Sequence, residues 1–152
     1  MNAIEMLMQD HKEAAGMMDQ LETADKGDRS AKDIFLQLKD ALTLHTQVEE
    51  QIFYPALKSH EETRDMIPES LEEHQEVDQI LAEMTSLNPG NDDFMDKLTE
   101  LRDAVEHHVE EEESEMFPKA EQILGENRLQ EMGRQMQQMK QSKVATATNK
   151  RP

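Results

Sequence analysis

Two sets of histidine and carboxylate residues recur in this chain at a fixed offset of 63 residues. His11 falls on His74, His45 on His108, Glu49 on Glu112 and Pro55 on Pro118. Glu50 also lands on Glu113, and the aromatic Tyr54 on Phe117. With six histidines in the chain, chance supplies about 0.1 His–His matches at any one offset. Two histidine pairs with an aligned acid and an aligned proline therefore mark an internal repeat. Imidazole and carboxylate are the side chains that bind divalent transition metals. Four histidines and two glutamates supply two histidines per metal and two bridging carboxylates.

The elements that must position these residues are helices. Apolar residues fall at Ile4, Leu7, Met8, Ala15, Met18 and Leu21, then at Ile34, Leu38, Ala41, Leu42, Val48, Ile52 and Ala56. They continue at Ile67, Leu71, Val77, Leu81, Met84 and Leu87, and at Phe94, Leu98, Leu101, Val105 and Met116. Steps of three and four repeat throughout, which is one face of a helix, and no stretch alternates with a period of two. Asn2 with Glu5 can form a capping box, and Ser30 with Asp33 a weaker one. Gly27-Asp28, Asn88-Pro89-Gly90 and the segment Arg64 to Pro68 read as loops. The pattern predicts four long helices at about 2–24, 30–60, 66–87 and 91–122, with ends good to about 2–4 residues.

The predicted fold class is all-α: an up-down-up-down four-helix bundle built from two helical-hairpin repeats. Leu129, Met132, Met136 and Met139 keep helical spacing after Gly125 and predict a short fifth helix. The expected organisation is a bundle over 1–125, a C-terminal helix over 126–141 and a flexible tail over 142–152. The methionine face of the fifth helix either packs on the bundle or docks a protein partner or second copy, because Met suits adaptable surfaces.

All four repeated histidines lie on the apolar stripes and are expected to point into the bundle. Burying four imidazoles without partners would cost a few kcal/mol per unsatisfied group. Glu49 and Glu112 lie four residues beyond their histidines, hence on the same face. Two carboxylates in a bundle core cannot both stay charged without cations. A pair of divalent metals resolves the conflict. Calcium and magnesium want oxygen rather than imidazole, and structural zinc takes four closed ligands, often with Cys. A mixed nitrogen and oxygen site with two bridges favours two iron ions, with manganese or zinc as alternatives. The Glu-x-x-His of ferritin-like di-iron proteins and the H-E-x-x-H of zinc proteases do not occur.

Composition narrows the partners. The net charge is −18, from 16 Lys+Arg against 34 Asp+Glu. A chain this negative is a poor binder of phosphate polyanions, so neither nucleic acid nor an anionic membrane is expected. The absence of Cys removes disulfides, thiolate sites and cysteine nucleophiles. Low hydrophobicity and high charge is also the composition of disordered chains, but the helical periodicity opposes that reading outside the tail. No basic region precedes an apolar run and no apolar stretch approaches about 20 residues, so a cytoplasmic location is the expectation.

Asp10-His11, His45-x-x-x-Glu49-Glu50 running to Phe53-Tyr54-Pro55, Glu73-His74, and His108-x-x-x-Glu112-Glu113 running to Phe117-Pro118 resemble the hemerythrin-like, or HHE cation-binding, domain. The resemblance covers about 1–122, and Leu129 to Gly133 resembles a terminal helix of bacterial members. It implies a non-haem di-iron site, oxo- or hydroxo-bridged, with His11 and His45 on one iron and His74 and His108 on the other. Glu49 and Glu112 would bridge. Members of the family bind dioxygen reversibly, sense oxygen or iron, repair nitrosative damage or decompose peroxide. The expected function is therefore binding or sensing of dioxygen, nitric oxide or peroxide. The alternatives are a peroxide-decomposing enzyme, an iron reservoir or a metal-stabilised interaction module. One departure stands out: Asp78 occupies the place of the fifth histidine of oxygen carriers. It is expected either to fill a coordination vacancy or to lie on the surface, and the more open site weakens the case for pure oxygen transport.

Other polar residues are expected outside the site. His107 is turned about 100° from His108, and His60 falls near a helix end. The acid run Glu110 to Glu113 with Glu115 reads as a solvated face, with Glu112 alone in ligand register. Glu50 and Glu113 are expected in solvent or just behind the ligands they follow, and Tyr54 in the core or lining a ligand channel. Pro55 and Pro118 are expected to kink or end their helices.

Overall fold

The computed structural model describes residues 1–24 and 29–150, with side chains through Lys143. Its elements are α1 (Ala3–Thr23), α2 (Arg29–Val48), α3 (Tyr54–Lys58), α4 (Glu61–Arg64), α5 (Met66–Thr85), α6 (Asp92–Glu111) and α7 (Phe117–Lys150). No strand occurs among the described residues. Single π-helical turns, Glu49–Phe53 and Glu112–Met116, join α2 to α3 and α6 to α7. The architecture is thus a four-helix bundle of two hairpins with a C-terminal helix packed on it.

Local chemistry explains the ends. Asn2 accepts from the Glu5 N–H at 2.9 Å, and Glu5 accepts from the Asn2 N–H at 2.9 Å, which completes the capping box. Ser30, the second predicted cap, lies one residue inside α2. The Gly27-Asp28 turn lies outside the described residues. Between α5 and α6, Asn88 accepts from the Gly90 N–H at 3.0 Å and closes the predicted loop. Part of the predicted loop from Arg64 to Pro68 is helical instead. Pro68 sits in the first turn of α5, where its missing N–H has no intrahelical partner to lose.

The two π-helical turns are a consequence of Pro55 and Pro118. A proline inside a helix removes one hydrogen bond and its ring clashes with the carbonyl four residues back. Widening the preceding turn lets the Tyr54 N–H reach the Glu49 carbonyl, and the Phe117 N–H reach that of Glu112. Each prolyl residue therefore reshapes the turn that carries a predicted metal ligand.

The core is split into two apolar parts. Leu7, Val48, Phe53, Ile67 and Met116 belong to one, with Leu129, Met132 and Met136 of α7. Leu38, Leu42, Val77, Leu81, Leu98 and Val105 belong to the other. Every inward histidine lies in sequence between the two, so a polar layer crosses the bundle.

α7 bends at Gly125, whose φ of 79° belongs to the region that side chains disfavour. The chain then folds back on the bundle. A Cβ at Gly133 would lie 2.5 Å from the Met1 carbonyl oxygen, so only glycine permits this approach. Met132 and Met136 are buried by it. The face on which a partner could dock through methionine is therefore occupied by the chain's own bundle. Backbone helix continues past 141 to Lys150, because extending an existing helix costs far less than nucleating one.

Candidate metal centre

The structure gathers the six inward residues into one buried layer. His11, His45, His74 and His108 are buried, and Glu49 and Glu112 retain 0% and 1% exposure. Donor atoms of His11, His45 and Glu112 lie within 4.8 Å of one another, as do those of Glu49, His74 and His108. Each set thus mixes histidines of one hairpin with a carboxylate of the other. His11 Nε2 lies 3.2 Å from Glu112 Oε1, and His74 Nε2 lies 3.0 Å from Glu49 Oε1.

Four further carboxylates set the orientation of the rings. Asp10 holds His45 Nδ1 at 2.9 Å and Glu73 holds His108 Nδ1 at 2.7 Å. Glu113 holds His11 Nδ1 at 2.7 Å and Glu50 holds His74 Nδ1 at 2.8 Å. The pairs obey the 63-residue register, since Asp10 corresponds to Glu73 and Glu50 to Glu113. A carboxylate on Nδ1–H fixes the tautomer and leaves the Nε2 lone pair as a strengthened metal donor. Glu50 and Glu113, for which the sequence leaves both solvent and a place behind the ligands open, keep partly exposed side chains while their oxygens face the rings. The readable signal was an acid beside each motif residue at the repeat offset.

Tyr54 also belongs to the site. Its hydroxyl donates to Glu112 Oε2 at 2.8 Å and lies 3.2 Å from His74 Nε2. The π-helical turn after Glu49 brings it there, since five residues then span about one turn.

Asp78 and His107 stay outside. Asp78 is exposed, and its carboxyl is raised above the usual range by partial burial and by Glu50, with His74 opposing. The His107 side chain is 64% exposed and lies 3.1 Å from Glu111 and 3.4 Å from Glu73. His60 is half-buried at the start of α4, remote from the histidine layer in its contacts.

With no metal bound, protons do the balancing. Burial alone would lower His45, but Glu49, Asp10 and Glu112 outweigh it and push it up to about 10. Burial likewise opposes charge on His108, yet Glu112, Glu49 and Glu73 push it up to about 12. Burial disfavours the Glu49 carboxylate, but His45, Glu112 and His108 hold it well below the usual range. Burial and the neighbouring Glu49 and Glu112 push the Tyr54 phenol far up, so it remains a hydrogen-bond donor.

A cation fits this layer on three grounds. His45 Nε2 and Glu49 Oε2 are buried without a hydrogen-bond partner, a costly state unless a ligand satisfies them. His74 Nε2 and His108 Nε2 lie 3.2 Å apart, with Glu49 Oε1 at 3.0 Å and 3.7 Å from them, so a cation in place of their shared proton would meet all three. The donors are imidazole and carboxylate only, the set that suits iron, manganese or zinc. A cavity of about 220 Å³ adjoins all four histidines and is walled by Ala14, Leu42, Val77 and Val105, with Asp10 and Lys140 also lining it. That is many times the space of one water.

The comparison that decides the family is the match of residues 2–120 to the model described as the hemerythrin HHE cation binding domain. The chain belongs to the hemerythrin HHE cation-binding domain family. It is a hemerythrin-like metal-binding domain, and its buried His and Glu clusters have the chemistry to hold a metal ion. Its fold resembles the crystal structure of a hemerythrin HHE cation binding domain-containing protein from Mycobacterium kansasii. The TM-score is 0.84 at 24% identity, over 97% of this chain and 91% of that one. An uncharacterized hemerythrin-like protein of Schizosaccharomyces pombe is 31% identical over 87 residues, 56% of this chain and 43% of that protein. A protein of Nostoc sp. named DNA nickase is 27% identical over 117 residues, 77% of this chain and 33% of that protein. The hemerythrin-like chain thus spans a third to under half the length of these curated relatives. None of its described helices is long and apolar enough to cross a membrane.

Proposed function

We propose that this domain holds two iron ions and binds or senses dioxygen, nitric oxide or peroxide. In this reading His11 and His45 would hold one iron, His74 and His108 the other, and Glu49 and Glu112 would be shared between the two. The observation that supports it most is the division of the buried donors into two sets, each of two histidines and one glutamate. Iron so held would supply reversible binding and redox chemistry toward small oxygen- and nitrogen-containing ligands. The protein's own groups do the rest. Asp10, Glu73, Glu50 and Glu113 keep the Nδ1 protons away from the centre and aim Nε2 inward. Tyr54 offers an O–H inside a layer that is otherwise carboxylate and imidazole. Val77, Val105 and Leu42 keep the adjoining cavity apolar and able to admit a small uncharged ligand.

Nucleic acid is left out of the proposal. The nickase relative is matched over 33% of its length only, and a net charge of −18 opposes a phosphate backbone.

The test is the metal content and visible absorption of protein from iron-replete cells. Two irons per chain with an oxo-to-iron band are expected, and metal-free protein that melts cooperatively at the same temperature sinks the reading. Dioxygen, nitric oxide and peroxide added in turn to the reduced protein rank its ligands; steady turnover of peroxide would make it an enzyme. Glu49→Ala and Glu112→Ala should each abolish the two-metal centre, while His60→Ala should not.

A further inference from the structure

The 63-residue register also breaks at a patch that flanks the metal centre from outside. In the second repeat Glu69, His107 and Glu111 gather around Glu73, the carboxylate that holds His108, with donor atoms within 4.8 Å. The corresponding residues of the first repeat are Met6, Leu44 and Val48. These three pack in the apolar core that α7 completes with Met132, Met136 and Met139. So α7 covers the first repeat, and it brings Lys140 onto Asp10, the counterpart of Glu73. Lys140 Nζ donates to Asp10 Oδ1 at 2.5 Å.

The two equivalent carboxylates therefore sit in opposite fields. Asp10 carries a fixed ammonium. Glu73 stands among Glu69 and Glu111, and besides His108, which it holds, the exposed His107 lies beside it. A carboxylate on Nδ1–H strengthens Nε2 as a donor. An ammonium on that carboxylate withdraws the gain and also repels an approaching cation across a poorly screened interior.

We propose that Lys140 is a positioning residue that makes the two metal positions unequal. The position offered by Glu49, His74 and His108 fills first, and that offered by His11, His45 and Glu112 fills second. This rests on the two-metal reading above.

Titration of the metal-free chain with Co2+, followed by visible absorption and calorimetry, tests it. Two uptake steps are expected, with dissociation constants about ten- to a hundredfold apart. Lys140→Met keeps an apolar stem beneath α7 and removes the ammonium. It should tighten the second step about tenfold and leave the first unchanged. Lys140→Arg should restore the separation. A lysine that merely pins α7 would weaken the second step when replaced by Met, and that result overturns the proposal, as does an unchanged separation. Two equal steps in the unaltered chain overturn the inequality but leave the two-metal reading standing. No uptake of Co2+ overturns both.

Discussion

The Tyr54 hydroxyl donates to Glu112 Oε2 at 2.8 Å, so a side chain of the first repeat serves the buried carboxylate of the second. The reverse exchange has no hydroxyl. Phe117, the counterpart of Tyr54, lies nearly parallel to His11, with ring centroids 5.9 Å apart and planes 6° apart. Tyr54 stacks on His74 in the same manner, at 5.4 Å and 22°. The duplication thus kept the ring on both sides and the phenol on one.

Tyr54→Phe should keep the ring packing, since the other repeat already accepts Phe there. It deprives Glu112 of a buried donor, at a cost of about 1–3 kcal/mol. Urea unfolding of the metal-free protein should show a lower midpoint with an unchanged slope.

The carboxylates behind the histidines should matter almost as much as the central six. Glu50→Ala frees His74 Nδ1, and Glu113→Ala frees His11 Nδ1. Each should weaken metal binding about ten- to a hundredfold with helix content preserved by circular dichroism. Glu115→Ala, an exposed neighbour in the same acid run, should change nothing.

Stability should fall with rising pH when metal is absent and hold when it is bound. His45 and His108 are held at about 10 and about 12, above the ordinary 6.5. A raised histidine contributes stability that is complete below its unfolded pKa and is lost as pH rises through the folded value. Metal-free protein should therefore lose stability progressively from about pH 6.5 toward 10 and beyond. Loaded protein should not, because metal replaces those protons. Thermal melts across this interval, with and without a chelator, read the difference; proton release on metal uptake in weak buffer is the companion measurement.

Two glycines should respond with opposite signs. Gly133→Ala places a methyl 2.5 Å from the Met1 carbonyl and should cost about 1–3 kcal/mol by forcing α7 off the N-terminus. Gly16→Ala, inside α1 with nothing within 4 Å of the new methyl, should stabilise by about 0.5–1 kcal/mol. Melting temperatures of the two variants check both.

Periodicity and the repeat offset determined the helices, the hairpin duplication and the six side chains that face inward. A residue's phase on a helix decides whether it meets the core, and spacing alone carries that phase. The match of His11 with His74 and of Glu49 with Glu112 needed no coordinates for the same reason. What lay beyond the sequence was each contact made across helices. Glu50 and Glu113 sit one residue, about 100°, past the inward face, an angle that is solvent or shell depending on the neighbouring helix. Tyr54 was placed by a widened turn that shifts helical phase by about one residue, which a uniform period does not register. Lys140 and the buried methionines were placed by a backbone approach at Gly133 and a bend at Gly125. Tertiary structure alone settles such matters, because helix phase is a local property, while the partner that a face meets depends on how distant segments pack.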